Sequence, residues 1–209
     1  WAGKEDAIGL SETGTDIIAA GSGCVDNNMA AYTQSLDGTN SACTFYFDRF
    51  YAAINWCNTA IFHAQTVPNP SNDEILATTL NKREAEARVL RTFYYWILTE
   101  TFGDTYYTDQ PSTSIVMNPV KTSTDNIYQY MFDDLDWAIK SKLSTLQNDG
   151  GRVTIWTAKA LKARLLLTRA SEKNDVDMYG QAYDLAKDVI ENGPFELAED
   201  FASIWDMKN

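Results

Sequence analysis

The sequence predicts an all-α fold of stacked, tetratricopeptide-like helix pairs, with long N-terminal and inter-helix loops. Three observations support this prediction. Apolar residues recur at helical spacing through most of the chain after residue 45. Helices that are apolar on several sides alternate with helices that are apolar on one face, as in stacked arrays. Residues 153–192 also form an alanine-rich helix pair of repeat-like length, although the usual consensus of such repeats is absent.

The N-terminal part of the chain differs in composition from the rest. Residues 1–44 are rich in Gly, Ser, Thr, Asn and Asp, which predicts a loop-dominated segment. From residue 45 an apolar helical period predicts a first helix over 45–66, which the turn signal VPNPSND ends. We therefore expect one helical domain over 1–209, with a loop-rich segment over 1–44 and stacked helices over 45–209.

The second predicted helix has almost no polar face. Ser71 followed by Glu74 resembles a capping box, and Gly103 is able to end the helix with a positive φ. Its last turns contain the stretch RTFYYWILTETF, with apolar residues on every side, which predicts burial between neighbouring helices. The expected core residues of this helix are Leu90, Phe93, Tyr94, Ile97 and Phe102.

Further helices follow a proline-containing connection. The twenty or so residues after Gly103 have no sustained period and predict an ordered excursion or a loop. Residues 122–143 predict an amphipathic surface helix on which Asp133, Asp134 and Asp136 form a solvated face. Thr154 is expected to cap the next helix, and the last helix is expected over Tyr179–Asn192.

Composition and charge exclude several classes of function. The net charge of −12 disfavours nucleic acid and anionic lipid as partners. No apolar run has the length of a membrane-spanning helix, and the start WAGKEDAIGL has no basic-then-apolar signal region. We therefore interpret the chain as a mature, trimmed or excised part of a protein.

Cysteine and histidine positions give no metal-binding pattern. Three cysteines and one histidine follow no ligand spacing, so we expect neither a metal nor a cofactor. Cys57 lies within a helical pattern and is expected to be a buried apolar residue. Cys24 and Cys43 lie in the loop-rich segment, where either a disulfide or two thiols is consistent with the sequence.

Five segments in order resemble the N-terminal half of SusD/RagB-like proteins, surface glycan-binding lipoproteins of Gram-negative bacteria. The strongest matches are the helix that runs into Phe-Gly-Asp and the Gly-Arg-x-Thr that precedes an alanine-rich helix. The matching segments are FYAAINWCNTAI (50–61), EAEARVLRTFYYWILTETFGDTYY (84–107), TSTDNIYQYMFDDLDWAI (122–139), GRVTIWTAKALKARLLLTRA (151–170) and YDLAKDVIENGPFEL (183–197).

The resemblance implies a non-catalytic function at the cell surface. Members of this family bind an oligosaccharide or polysaccharide and pass it to a SusC-like TonB-dependent transporter in the outer membrane, to which a lipidated N-terminal Cys anchors them. That Cys is absent from this chain, and the family continues well beyond its last residue. We therefore expect a fragment of a longer lipid-anchored protein.

Candidate ligand contacts are expected in the loops. Sugar recognition needs exposed aromatic faces and hydrogen-bonding side chains, which buried helix aromatics do not provide. The segments 12–46 and 104–121 are the available loops. The predicted ligand-binding residues are Asp16, Asn28, Tyr32, Asn40 and Phe45. The alternative is that Tyr32 and Phe45 pack under the loop and that the polar residues only cap turns.

Two alternative functions remain at this point. In one, the helices dock a transporter or peptide and the loops make no sugar contact. In the other, the chain is a helical glycoside hydrolase that brings two carboxylates together. The carboxylates give little support to a hydrolase, and the helical arginines Arg88, Arg91 and Arg164 are expected to snorkel or to pair with Glu84, Glu86 or Glu100.

Overall fold

A computed structural model describes residues 13–18, 30–69, 71–141, 143 and 151–205. The predicted all-α fold is confirmed, since helices dominate these residues and the strands among them are two residues long. The elements are α1 (Ser41–Thr66), α2 (Glu74–Phe102), β1 (Thr105–Tyr106), β2 (Lys121–Thr122), α3 (Thr124–Lys140), α4 (Ile155–Lys173), α5 (Val176–Asn192) and a 3-10 helix (Phe201–Trp205).

The chain divides into two compact units, Trp1–Ala53 and Ile54–Asn209. The first part of α1 belongs to the N-terminal unit, where Tyr46 and Phe50 are buried. The rest of α1 and all later elements belong to the larger unit. No helix in the described ranges is long and apolar enough to cross a membrane.

Helix boundaries follow local capping chemistry. Asp73, not Ser71, caps α2, because its carboxylate accepts hydrogen bonds from the backbone N–H groups of Ile75 and Leu76 at 2.8 and 3.2 Å. Gly103 ends α2 with φ 69°, as the sequence predicted. Thr154 caps α4 in a reciprocal capping box with Thr157, which confirms the predicted start of that helix.

From α2 onward, each helix of the larger unit packs against the next one in sequence. α2 packs on α3, α3 on α4, and α4 on α5, which is the order expected for stacked helix pairs. Six of the fully buried apolar side chains come from α2, α3 and α4, and burial of each contributes roughly 1.5–3 kcal/mol. They are Tyr95, Leu98, Ile127, Tyr128, Leu135 and Leu165.

The buried face of α2 differs from the predicted one. Leu90 is exposed and Phe93, Tyr94, Ile97 and Phe102 are only partly buried, whereas Glu84 and Arg91 are buried. The expected burial of Leu90 is therefore wrong. An apolar count around a helix does not identify which face meets its neighbours, and here the buried charged side chains have ion-pair partners, Arg88 for Glu84 and Asp134 for Arg91.

Candidate functional site

The predicted ligand-binding residues lie in the N-terminal unit. Asp16 is exposed, and Tyr32 is 71% exposed with a left-handed φ of 48°. The Tyr32 hydroxyl donates a hydrogen bond to the carbonyl oxygen of Gly14 at 3.1 Å, which links the turn at residue 32 to the segment that contains Asp16. Asn28 lies outside the described residues, as does Cys24, so a pairing of Cys24 with Cys43 stays a prediction.

Asn40 and Phe45 lie at the start of α1. The Asn40 side chain is buried; its Oδ1 accepts from the backbone N–H groups of Ala42 and Cys43 at 3.0 and 3.3 Å. Its amide nitrogen donates to the carbonyl oxygen of Ser35 at 3.2 Å. Asn40 is thus engaged in capping the helix. A role for it in ligand binding stays a prediction.

Phe45, unlike Asn40, offers an accessible aromatic surface. The side chain is 40% exposed, and its ring meets that of Tyr46 edge-on with centroids 5.9 Å apart. The guanidinium carbon of Arg49 lies 5.1 Å from the Phe45 centroid, a cation–π distance. A half-exposed ring beside a cationic hydrogen-bond donor is suited to contact with the C–H face and hydroxyls of a sugar.

The second predicted loop, 104–121, lies in the connection between α2 and α3, residues 103–123. The two ends of this connection are brought together by strand pairing of Thr105 with Thr122 and of Tyr106 with Lys121. Asp104 adds a second link, since its Oδ1 accepts from the backbone N–H and the hydroxyl of Thr124 at 2.8 and 3.0 Å. These hydrogen bonds lower the pKa of Asp104 below its ordinary value.

Side chains from two helices hold the first half of this connection. The amide nitrogen of Asn58 donates to the carbonyl oxygens of Thr108 and Gln110 at 3.0 and 3.1 Å. The Tyr95 hydroxyl donates to the Thr108 carbonyl oxygen and accepts from the Thr108 N–H, both at 2.9 Å. Asn55 Oδ1 accepts from the Ser112 N–H at 2.8 Å. The backbone of residues 108–112 is therefore fixed by side chains distant in sequence.

A buried charged network supports these side chains. Arg91 donates from Nε and Nη2 to the two carboxylate oxygens of Asp134, both at 2.8 Å, and from Nη1 to Asn58 Oδ1 at 2.8 Å. Arg88 contacts Asp134 at 2.6 Å and Glu84 at 2.7 Å. Burial acts to lower the pKa of Arg91, but the hydrogen bonds and charge of Asp134 outweigh burial and raise it.

This network corrects two expectations. Asp134 was expected on a solvated face, yet it is buried, because it is the common carboxylate partner of two arginines. Arg91 pairs with Asp134 and not with a glutamate of its own helix, whereas the expected pairing of Arg88 with Glu84 is confirmed. The sequence did contain a signal for Asp134, since its spacing from Ile127 and Met131 places it on the apolar face of α3.

Three tyrosines form a stack that runs from the core to the surface. The rings of Tyr95 and Tyr107 have centroids 5.0 Å apart, and those of Tyr107 and Tyr130 are stacked at 4.3 Å. Tyr95 is buried, Tyr107 is half-buried and Tyr130 is 40% exposed. Burial is the main cause that raises the pKa of Tyr107 to about 12. Local sequence patterns do not reveal this stack, because its members come from three separate segments.

The outer part of the connection is exposed and apolar. The side chains of Ile115, Met117 and Val120 are 86%, 81% and 78% exposed. Val116 lies between them and is also exposed. An exposed apolar run of this kind is typical of a contact surface for another macromolecule. Within the described residues, no group of His, Cys, Asp or Glu side chains is arranged to hold a metal ion.

Comparison with known proteins identifies the family. Residues 15–205 match the family model SusD-like_2, which is described as starch-binding and associated with the outer membrane. A SusD-like protein from Bacteroides ovatus is 29% identical over 166 residues, which are 77% of this chain and 29% of that protein. The chain therefore belongs to the SusD-like family, and the predicted family resemblance is confirmed.

Solved structures support the same fold. A SusD superfamily protein from Parabacteroides distasonis aligns with TM-score 0.74 and 24% identity over 86% of this chain and 38% of that chain. Surface glycan-binding protein A from Bacteroides thetaiotaomicron, solved in complex with laminarihexaose, aligns with TM-score 0.61 and 21% identity over 78% of this chain and 32% of that chain. This chain thus spans well under half the length of these relatives.

Proposed function

We propose that the protein binds a neutral oligosaccharide or polysaccharide at the cell surface, without catalysis, and delivers it to a TonB-dependent outer-membrane transporter. The observation that carries this proposal is the family match over residues 15–205, whose description names both starch binding and the outer membrane. Solved structures of the same fold include a laminarin-binding SusD-like protein and the laminarihexaose complex described above. A lipid anchor in the natural protein would hold it at the outer surface.

Carbohydrate contact in the N-terminal unit is part of the proposal. Sugars require aromatic faces and polar groups. The aromatic faces are supplied by the exposed ring of Tyr32 and by the ring of Phe45 beside Arg49. The exposed carboxylate of Asp16 and the Arg49 guanidinium supply polar groups. The net charge of −12 favours a neutral glycan over a sulfated or uronic acid polymer.

The carboxylates of the larger unit support a non-catalytic function. Glycoside hydrolysis needs two carboxyl groups that face one bond, one of them able to donate a proton. Asp134 is occupied by two arginines, and Glu84 accepts from Arg88 and from Gln65. The pKa of Asp104 is lowered by the N–H and hydroxyl of Thr124, which is the reverse of what a general acid needs.

A docking function without sugar contact is the second candidate. The exposed apolar run Ile115, Val116, Met117 and Val120 favours it, because such a surface gains stability when a protein partner covers it. In the first proposal this run is the part of the connection that is available to the transporter, whereas in the second it is the principal functional surface.

Affinity electrophoresis distinguishes these functions. The full natural chain that contains these residues is run through gels with amylopectin, laminarin or a sulfated glycan, and release of reducing ends is assayed on the same mixtures. We expect retardation by a neutral glycan and no release. Release of reducing ends would instead indicate a hydrolase. If no gel with a neutral glycan retards the protein, and the protein captures the transporter through the exposed apolar run, the docking function is favoured.

A further inference from the structure

We infer that Tyr130, supported by Tyr107, forms a second carbohydrate contact, located in the larger unit and specific for the face of a neutral pyranose ring. This inference rests on the proposed function and adds to it a site separate in sequence from Asp16, Asn28, Tyr32, Asn40 and Phe45. The contact consists of the Tyr130 ring and the polar side chains that neighbour it on α3.

The Tyr107–Tyr130 stack gives the exposed ring a fixed orientation. The two planes differ by 27° with centroids 4.3 Å apart, so one face of Tyr130 rests on Tyr107. Tyr130 nevertheless keeps an exposed fraction of 40%. A tyrosine held in this way has lost much of its rotational freedom before a ligand arrives, which lowers the entropic penalty of binding.

The support extends from Tyr107 into the core. Thr108, the next residue, exchanges two hydrogen bonds with the buried Tyr95 hydroxyl and accepts a third from Asn58. Arg91 in turn holds Asn58 Oδ1 at 2.8 Å. Tyr107 is therefore fixed by its own ring contacts on one side and by its neighbour's backbone on the other.

Polar side chains adjoin Tyr130 on the same helix. Gln129 precedes it, and Asp133 lies one turn further on, on the same side of α3. Both are exposed, and the Gln129 amide donates to Asp133 Oδ1 at 2.9 Å. An aromatic face bordered by a carboxylate and an amide matches a pyranose, which has an apolar C–H face and a rim of hydroxyl groups.

Charge at this surface selects a neutral ligand. Asp133 is exposed beside Tyr130, and Asp109 is near enough to Tyr107 to help raise the pKa of that tyrosine. Two carboxylates accept hydrogen bonds from hydroxyl groups and repel sulfate or uronate groups. The class of ligand is therefore a neutral oligosaccharide.

The test uses the full natural chain and two probes, maltohexaose and laminarihexaose, in titration calorimetry. For the probe that the wild-type protein binds, we expect Tyr130→Leu to weaken binding by about 5- to 10-fold, as for the loss of an aromatic stacking contact. Tyr130→Phe keeps the ring and is expected to bind within about twofold of wild type. Tyr183→Leu, which removes another exposed tyrosine on α5, is the matched control and is expected to leave affinity unchanged.

A measurement on the unmodified protein avoids any effect of the substitution on folding. Tetranitromethane nitrates exposed tyrosines, and peptide mapping follows the rate at Tyr130 and at Tyr183 with and without the probe. We expect the probe to slow nitration of Tyr130 and to leave that of Tyr183 unchanged.

Each failure has a distinct meaning. In the first case, Tyr130→Leu binds the probe as wild type does, the probe does not protect Tyr130 from nitration, and Phe45→Leu weakens binding. The second contact is then wrong and the proposed function stands. If neither probe nor any neutral polysaccharide binds the wild-type protein, the proposed function fails and the second contact fails with it.

Discussion

Two loop regions of this chain are ordered in different ways. In the segment that leads into α1, the hydrogen bonds of Asn40 join residues two, three and five positions apart. In the connection between α2 and α3, Asn58 and Arg91 contact backbone or side chains 18 to 52 positions away. The first region is organised by its own sequence, and the second by helices that must already be in place.

The two patterns of hydrogen bonds give each region a different source of rigidity. Local caps form as soon as the adjacent helix forms, and they stabilise only that helix. The connection is rigid only while α1, α2 and α3 are packed, because their side chains supply its hydrogen bonds. A substitution beneath the connection should therefore affect a surface that it does not touch, whereas a substitution near Asn40 should have a local effect.

Removal of Asp134 should give the largest effect. Asp134→Ala leaves Arg88 and Arg91 without their shared carboxylate, and we expect a loss of about 3–5 kcal/mol in the free energy of unfolding. Urea denaturation followed by tryptophan fluorescence measures it. Asp133→Ala, one residue earlier and exposed, should change this free energy by less than about 0.5 kcal/mol. Similar losses in the two variants would contradict the role given to Asp134.

Asn58→Asp should loosen the connection and leave the helices intact. The new carboxylate still accepts from Arg91 but no longer donates to the carbonyls of Thr108 and Gln110. Loss of two hydrogen bonds of about 0.5–1.5 kcal/mol each predicts roughly ten- to hundredfold faster amide exchange over residues 108–112. Hydrogen exchange followed by mass spectrometry measures this, with the exposed Asn81→Asp as control. Unchanged exchange in the connection would show that other contacts hold it.

Asn40→Ala should have a smaller and local effect. It removes the cap from α1, which is worth about 0.5–2 kcal/mol, and it should speed exchange of the Ala42 and Cys43 amides while exchange at 108–112 is unchanged. Asn40→Asp keeps the accepting oxygen and should retain most of their protection. Faster exchange in the connection as well would remove the distinction between the two regions.

The smallest effect concerns the pH response of Asp104. Its pKa is lowered by the backbone N–H and hydroxyl of Thr124, so its stabilising contribution is present above the ordinary carboxyl pKa. That contribution is lost as pH falls through the lowered pKa of the folded state. Thr124→Val removes only the hydroxyl and should move the pKa part of the way back toward its ordinary value. Titration of the Asp104 carboxyl carbon by NMR measures this pKa, and an unchanged value would show that the Thr124 hydroxyl does not contribute to its lowering.

The sequence was informative where neighbours along the chain determine structure. The Thr154 cap, the Gly103 helix end and the amphipathic α3 depend on residues within a few positions, and all were predicted correctly. The exposure of Leu90 depends on which helix faces meet, which local spacing does not determine. The spacing of Asp134 did place it on the apolar face of α3, but its arginine partners lie on another helix, which local spacing does not show. The same reason explains why the Tyr95–Tyr107–Tyr130 stack was missed, since each ring lies in a different element.

The two-residue pairing of β1 with β2 also affects how this surface evolves. Because Thr105 and Tyr106 are joined to Thr122 and Lys121, the chain between them begins and ends at one place, and residues 112–120 include a long exposed stretch. A closed segment of this kind accepts insertions at little expense, since doubling the length of a flexible loop adds only about 0.6 kcal/mol of closure entropy. We therefore expect residues 112–120 to accept longer or differently charged sequences while the helical frame is unchanged.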